Sequence, residues 1–210
     1  MAELYTDIIQ FAREQITRKG VASLTTESIC KNLKISEEQF SAHFSSISDL
    51  VSKMLEFERL NFNTIFDDHD FEGINAIDIL LVVGMEISSR FRNVSPSFTF
   101  ELKTTHPEIY QKNFEDKSDF IFNKIKINLE KGISQGMYRD DLSIELVARL
   151  YLSKLIDIHN PQVFPHEEYT FGRFFDIMFD TFIRNIANEA GLKYYEERKK
   201  FFTYLNFPKG

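Results

Sequence analysis

Residues 19–58 read KGVASLTTESICKNLKISEEQFSAHFSSISDLVSKMLEFE, and this stretch decides most of the fold. Gly20 ends the helix before it, because glycine adopts the left-handed conformation that closes a helix at little cost. Ser23 to Thr26 offer hydroxyl caps to a short second helix, whose inward face is Ile29, Cys30 and Leu33. A break follows at Lys34-Ile35. Ser36 to Gln39 then spell S-x-x-Q, a capping box that opens a third helix with Phe40 and Phe44 inward. Ser46 and Asp49 start a fourth, and Leu50, Met54, Phe57 and Leu60 continue its apolar face. Short helices with a tight break between the second and third predict a helix-turn-helix.

Upstream, Leu4, Ile8, Phe11, Ala12 and Ile16 recur at helical spacing and predict a first helix. Downstream the elements lengthen. Asp67–Asp70 reads as a loop and Ile74 to Phe91 as one helix. Ser95-Pro96 starts another, and His106-Pro107 breaks it before a long helix that runs to about Gln135 and ends at Gly136. Ser143 caps a helix to about His159, closed by Asn160-Pro161; helices over 167–188 and 192–205 complete the chain. The fold class is therefore all-α.

Composition agrees. The 210 residues hold only 8 Gly and 5 Pro, too little punctuation for a many-turned β-fold, and 43% hydrophobic content suits a globular core. The 22 Phe and absent Trp fit broad dry interfaces or an apolar pocket, or equally a compositional habit of the source genome. Cys30, the single cysteine, excludes an internal disulfide. No basic segment followed by an apolar run opens the chain, and no apolar stretch approaches the roughly 20 residues of a membrane span. The expectation is a soluble, cytoplasmic protein with no membrane association. Asp67, Asp68, His69 and Asp70 face different ways and read as a solvated loop. No histidine pair, phosphate loop or nucleophile elbow is present, so neither metal, cofactor nor enzymatic activity is expected.

The quoted stretch resembles the DNA-binding domain of the TetR (tetracycline-repressor-like) family. Gly20, Thr25, Thr26, Leu33, Ile35, Ser36, Phe40, His43, Phe44, Ser46 and Leu50 keep that frame. A weaker echo, LEKGISQGMYRDDLSIELVARLYL at 129–152, is similar to a segment of the family's C-terminal domains. The resemblance implies an N-terminal three-helix DNA-binding domain over 1–48. Helix 4 joins it to a larger helical effector-binding and dimerisation domain over 49–210.

On that resemblance, DNA contacts fall to Thr25, Thr26, Lys31, Lys34, Ser36, Glu37, Glu38, Gln39, Ser41 and His43. Several depart from the family pattern. The turn glycine is Lys34, which has to adopt a left-handed conformation at a cost of about 1 kcal/mol. A recognition-helix Tyr is Ser41, and a phosphate-contacting Lys is Ile47. Residues 1–50 carry five Lys or Arg against seven Asp or Glu, a net −2 within a chain of −7. Each lost phosphate contact flattens the salt dependence of binding by about one unit. Glu37 and Glu38 could accept from cytosine N4 or simply meet the helix dipole. His43 matches a phosphate-contact position, and also reads as a half-buried ring beside Phe44.

The resemblance also implies an effector pocket and a dimer interface on the last main helices. Phe91, Phe98, Phe100, Phe114 and Phe122 lie on the pocket-lining helices and suit an apolar or aromatic small molecule; ordinary core packing explains them too. Tyr151, Leu152, Leu155, Phe175, Phe179 and Phe182 belong to helices apolar over most of their circumference. Such helices need cover on two sides, from a twin in a homodimer or from a monomer core. The implied function is a ligand-responsive transcriptional repressor on a double-stranded DNA operator. The alternative is a small-molecule or protein-binding module on the same fold with degenerate DNA binding.

Overall fold

The computed structural model describes residues 2–67, 69–91, 97–158, 160, 163–164 and 171–206. Helix α1, Ala2–Lys19, buries Ile8, Ile9, Ala12 and Ile16 along one rail. It stops at Gly20, whose φ is 81°, and one 3-10 turn at Val21–Ser23 leads onward. Helix α2, Thr26–Leu33, is capped by Thr25, whose hydroxyl accepts the Ser28 N–H at 3.1 Å. Lys34 closes it at φ 56°, ψ 43°, the left-handed turn expected where a glycine would be at ease.

Helix α3, Glu37–Ser41, opens on the complete capping box: the Gln39 N–H donates to Ser36 Oγ at 3.2 Å, and the Ser36 N–H donates to Gln39 Oε1 at 2.9 Å. Helix α4, Ile47–Asp67, starts where Ser46 Oγ accepts the Asp49 N–H at 3.1 Å. Beyond it come α5 (Ala76–Phe91), α6 (Ser97–Thr105), α7 (Pro107–Ser134), α8 (Ile144–Asp157), α9 (Phe171–Ile186) and α10 (Glu189–Asn206). Pro107 occupies the first position of α7, where its missing N–H has no helical partner to lose. Ser143 stands at the start of α8 without a side-chain capping bond. Asp68, Ser95-Pro96, His159, Pro161 and 167–170, all read from the sequence, lie outside the described residues.

Among the described residues, two large apolar cores result, with a smaller cluster around Ile158 and Phe175 beside them. The first gathers α1 to α3 and the start of α4, joined from the other half by Leu102 of α6 and partly buried Ile109 and Tyr110 of α7. The second packs the end of α4 with α5, α7, α8, α9 and α10. Helix α4 serves both: Leu50, Val51, Met54 and Leu55 in one, Phe62 and Ile65 in the other. That 3.6-residue rail bypasses two positions expected inward. Phe57 and Leu60 are 36% and 53% exposed, and partly buried Glu58 takes the inward place between them.

The weaker sequence echo becomes a clasp. The Tyr138 ring lies against Gly132, its hydroxyl donates to Asn128 Oδ1 at 2.9 Å, and Asn128 Nδ2 donates to the Ala76 carbonyl at 2.9 Å. Asn188 ties the same turn to α10, donating to the Gly136 carbonyl at 2.8 Å and accepting the Gly191 N–H at 2.9 Å. Among the described residues, no helix is long and apolar enough to cross a membrane, and no cluster of three or more His, Cys, Asp or Glu could hold a metal.

Candidate nucleic-acid interface and internal cavity

Helix α3 is held to the body by two rings. Phe40 and Phe44 are buried with centroids 5.7 Å apart, and Tyr5 of α1 stacks on Phe44 at 5.1 Å. Because a five-residue helix has room for only one anchored face, Ser36, Glu37, Glu38, Gln39 and Ser41 all face solvent. Thr25, Lys31 and Lys34 are exposed beside them, and Thr26 is half-buried. Eight of the ten expected contact residues are thus exposed, and the other two, Thr26 and His43, are half-buried. The His43 ring is half-buried against Tyr5 and Phe44, with its carbonyl accepting from Lys53 Nζ at 3.0 Å. The local field is acidic: after burial itself, Glu37 and Glu38 help push the Cys30 thiol up, while a hydrogen bond with Ser36 holds the Glu38 carboxyl below its usual range.

Behind this domain lies a cavity of about 470 Å³. Its walls come from seven helices: Ile16 and Thr17 of α1, Met54, Leu55 and Phe62 of α4, Ile79 and Val83 of α5, Leu102 of α6, Ile121 and Ile125 of α7, Tyr151 of α8, Phe179 of α9. Of the five expected pocket phenylalanines, Phe114 lines it. Phe122 instead lies under Lys126 and Arg149, and the side chains of Phe91, Phe98 and Phe100 fall outside the described residues.

Five of the six side chains expected at a dimer interface, Tyr151, Leu152, Leu155, Phe175 and Phe179, turn inward and line this same cavity. The sixth, Phe182, packs on Tyr151 at 4.4 Å. The same helices also carry exposed apolar side chains, Leu146, Leu150 and Ile177, each at least 60% exposed. Sequence reasoning also missed the cavity's charged groups, Arg13, Glu58 and Lys117, which no aromatic or motif signal marks.

No protein-family model matches the sequence, and no curated protein matches it. Solved structures do. A TetR-family transcriptional regulator from Agrobacterium tumefaciens superposes with a TM-score of 0.71 at 18% identity, over 89% of this chain and 99% of that one. The TetR family protein CprB from S. coelicolor A3(2) does so at 0.68 and 16%, over 96% and 97%. The fatty acid degradation regulator FadR from Bacillus halodurans does so at 0.68 and 14%, over 85% and 94%.

The chain has the TetR-family fold. Within the TetR fold, α1 reaches both the outward α3 and the cavity: Tyr5 braces α3 through Phe44, while Arg13, Ile16 and Thr17 line the cavity. A second strut of the TetR fold runs from α6, where the Glu101 carboxylate accepts the Val21 N–H at 2.8 Å.

Proposed function

We propose that the protein is a ligand-responsive, DNA-binding transcriptional repressor that acts in the cytoplasm as a homodimer. The single observation that carries this reading is α3: a capped helix, anchored by two buried rings and presenting every other side chain outward. Such a helix suits a major groove, with Thr25, Thr26, Lys31, Lys34, Ser36, Ser41 and His43 toward phosphate and Glu37, Glu38 and Gln39 toward base edges. Leu146, Leu150 and Ile177 supply an apolar face for a twin, whose two-fold symmetry would set a pair of recognition helices on successive groove faces. Effector binding would act through α1 and the Glu101 strut, provided that it favours one arrangement of them over another.

Selection of fragments from the source genome at low salt tests the DNA reading. Specific fragments enriched by the wild-type chain, and lost from a Leu150→Lys variant that sediments as a monomer, are expected. Enrichment no better than a protein-free control would sink it.

One observation favours a second reading, a small-molecule or protein-binding module with degenerate DNA binding: exposed Glu37 and Glu38 occupy the helix that should meet DNA. Replacing both by Gln separates the two. A gain in non-specific DNA affinity with loss of fragment preference fits the repressor; no DNA affinity in either form fits the module.

A further inference from the structure

The reading of the cavity as an effector site, on which this inference rests, leaves the chemistry of the effector open. Three tyrosines are buried among the described residues, and two of them place the hydroxyl on a partner. Tyr138 donates to Asn128 Oδ1 at 2.9 Å, and Tyr195 donates to Asp180 Oδ1 at 2.7 Å. Tyr151 of α8 is the third. It is 6% exposed, its ring packs on Phe182, and its hydroxyl makes no hydrogen bond among the described residues. Nor is that hydroxyl sealed: among the described residues, Asn63 Oδ1 is the side-chain atom closed off without a partner. Tyr151 lines the cavity, so the little surface its hydroxyl keeps opens onto it.

Beside Tyr151 the wall is hydrocarbon, Leu152 and Leu155 of α8 with Phe175 and Phe179 of α9. Asn128, also on the wall, already accepts from Tyr138 and donates to the Ala76 carbonyl. Burial pushes the Tyr151 phenol up, so it stays protonated and has an O–H to give. A ligand carbonyl accepts that O–H and brings no donor of its own. A ligand hydroxyl would bring one, and those four side chains offer it no acceptor. A full charge fares worse, because hydrocarbon cannot replace its lost hydration. The ionic groups of the wall do not call for one either: Arg13 meets Glu58 at 3.0 Å, Arg59 meets Asp116 at 3.6 Å and Asp157 meets Lys154 at 3.7 Å.

We propose that the cavity takes an uncharged, largely apolar molecule bearing a carbonyl, and that the Tyr151 hydroxyl donates to that carbonyl oxygen. Its volume of about 470 Å³ is that of sites enclosing small organic ligands. The apolar walls supply the buried area, and Tyr151 supplies the selectivity for an acceptor.

Three naphthalenes of similar size test this. Methyl 2-naphthoate carries a neutral carbonyl, 2-propylnaphthalene carries none, and 2-naphthoate carries a charge. The chain has no Trp, so their emission reports binding to the full chain directly. Tyr151→Phe should weaken methyl 2-naphthoate roughly five- to tenfold and leave 2-propylnaphthalene unchanged, a comparison that cancels their difference in hydrophobicity. The ester's infrared carbonyl stretch, clear of the protein amide band, should fall in frequency on binding wild type and not on binding the variant. Without ligand the variant should melt no lower than wild type, since no bond within the protein is lost. The anion 2-naphthoate should bind more weakly than its ester.

Equal weakening of ester and hydrocarbon, an unmoved carbonyl stretch, a free variant less stable than wild type, or an anion tighter than its ester overturns the carbonyl assignment. If Val83→Phe still abolishes binding in that case, the cavity stands as a ligand site. No binding by any of the three, or binding indifferent to Val83→Phe, overturns the cavity reading and the inference with it.

Discussion

Glu101 on α6 accepts the backbone N–H of Val21 at 2.8 Å, eighty positions away, and its carboxylate stands 2.5 Å from where a side chain on Gly20 would begin. Gly20 is favoured by its φ of 81°, and a side chain there would also push the Glu101 carboxylate out of its place. A charge-assisted bond to a backbone donor at the seam of the two cores holds the helix-turn-helix against α6.

Glu101→Ala should therefore cost about 1–2 kcal/mol in urea denaturation, and Glu101→Gln, which keeps an acceptor, clearly less. If the strut transmits effector binding, the alanine variant also loses the dependence of DNA affinity on effector. An alanine variant as stable as wild type would remove the strut from the account.

Lys34 holds its φ of 56° at a cost that glycine would not incur. Lys34→Gly should raise stability by about 0.5–1 kcal/mol while weakening DNA binding and flattening its salt dependence, because it removes an exposed cation beside α3. Melting curves and gel shifts at two salt concentrations read the two effects separately. Stability that falls instead would mean the lysine's own contacts outweigh the backbone strain.

A Cβ at Gly132 would stand 2.1 Å from the Tyr138 ring, which cannot retreat while its buried hydroxyl is bonded to Asn128. Gly132→Ala should cost about 3 kcal/mol by overpacking. Tyr138→Phe keeps the ring but strands Asn128 Oδ1 inside the core, at about 1–3 kcal/mol. Equilibrium unfolding of both variants measures this, and a neutral Gly132→Ala would contradict the clasp.

Asp180 gathers Tyr195 at 2.7 Å, Arg184 at 2.7 Å and Lys199 onto one carboxylate, strapping α10 to α9. Burial alone would raise its pKa, but the hydrogen bonds from Arg184, Lys199 and Tyr195 hold it well below the usual carboxylate range. A carboxyl depressed in the folded state stabilises fully above its unfolded value of about 3.9, and that stabilisation fades as pH falls toward the folded value. Asp180→Asn should cost about 1–2 kcal/mol near neutrality, and its deficit against wild type should begin to shrink only below about pH 4 and keep narrowing as pH falls toward the folded value. A deficit unchanged across that range would show that packing, and not ionisation, holds the strap.

Much of this was legible in the sequence where a local rule governs. Thr25, the Ser36–Gln39 box, Gly20 and Pro107 act on their immediate backbone, and each stands where its chemistry places it. The outward turn of Ser36–Ser41 followed from Phe40 and Phe44 alone. Phe57 and Leu60 were misread because hydrophobicity was allowed to define the inward rail of α4, when the rail passes through a glutamate. The same habit hid the cavity's charged end. Arg13, Glu58 and Lys117 lie on three helices and meet only through packing, which no spacing rule along the chain expresses.

Because α4 gives its early turns to one core and its later turns to the other, neither core can lose its order and leave that helix whole. The two halves are thereby bound to a common fate on heating. A scanning calorimeter should record a single heat-absorption peak whose van't Hoff and calorimetric enthalpies coincide, and amides midway along α4 should be among the last to exchange their hydrogens with deuterated solvent.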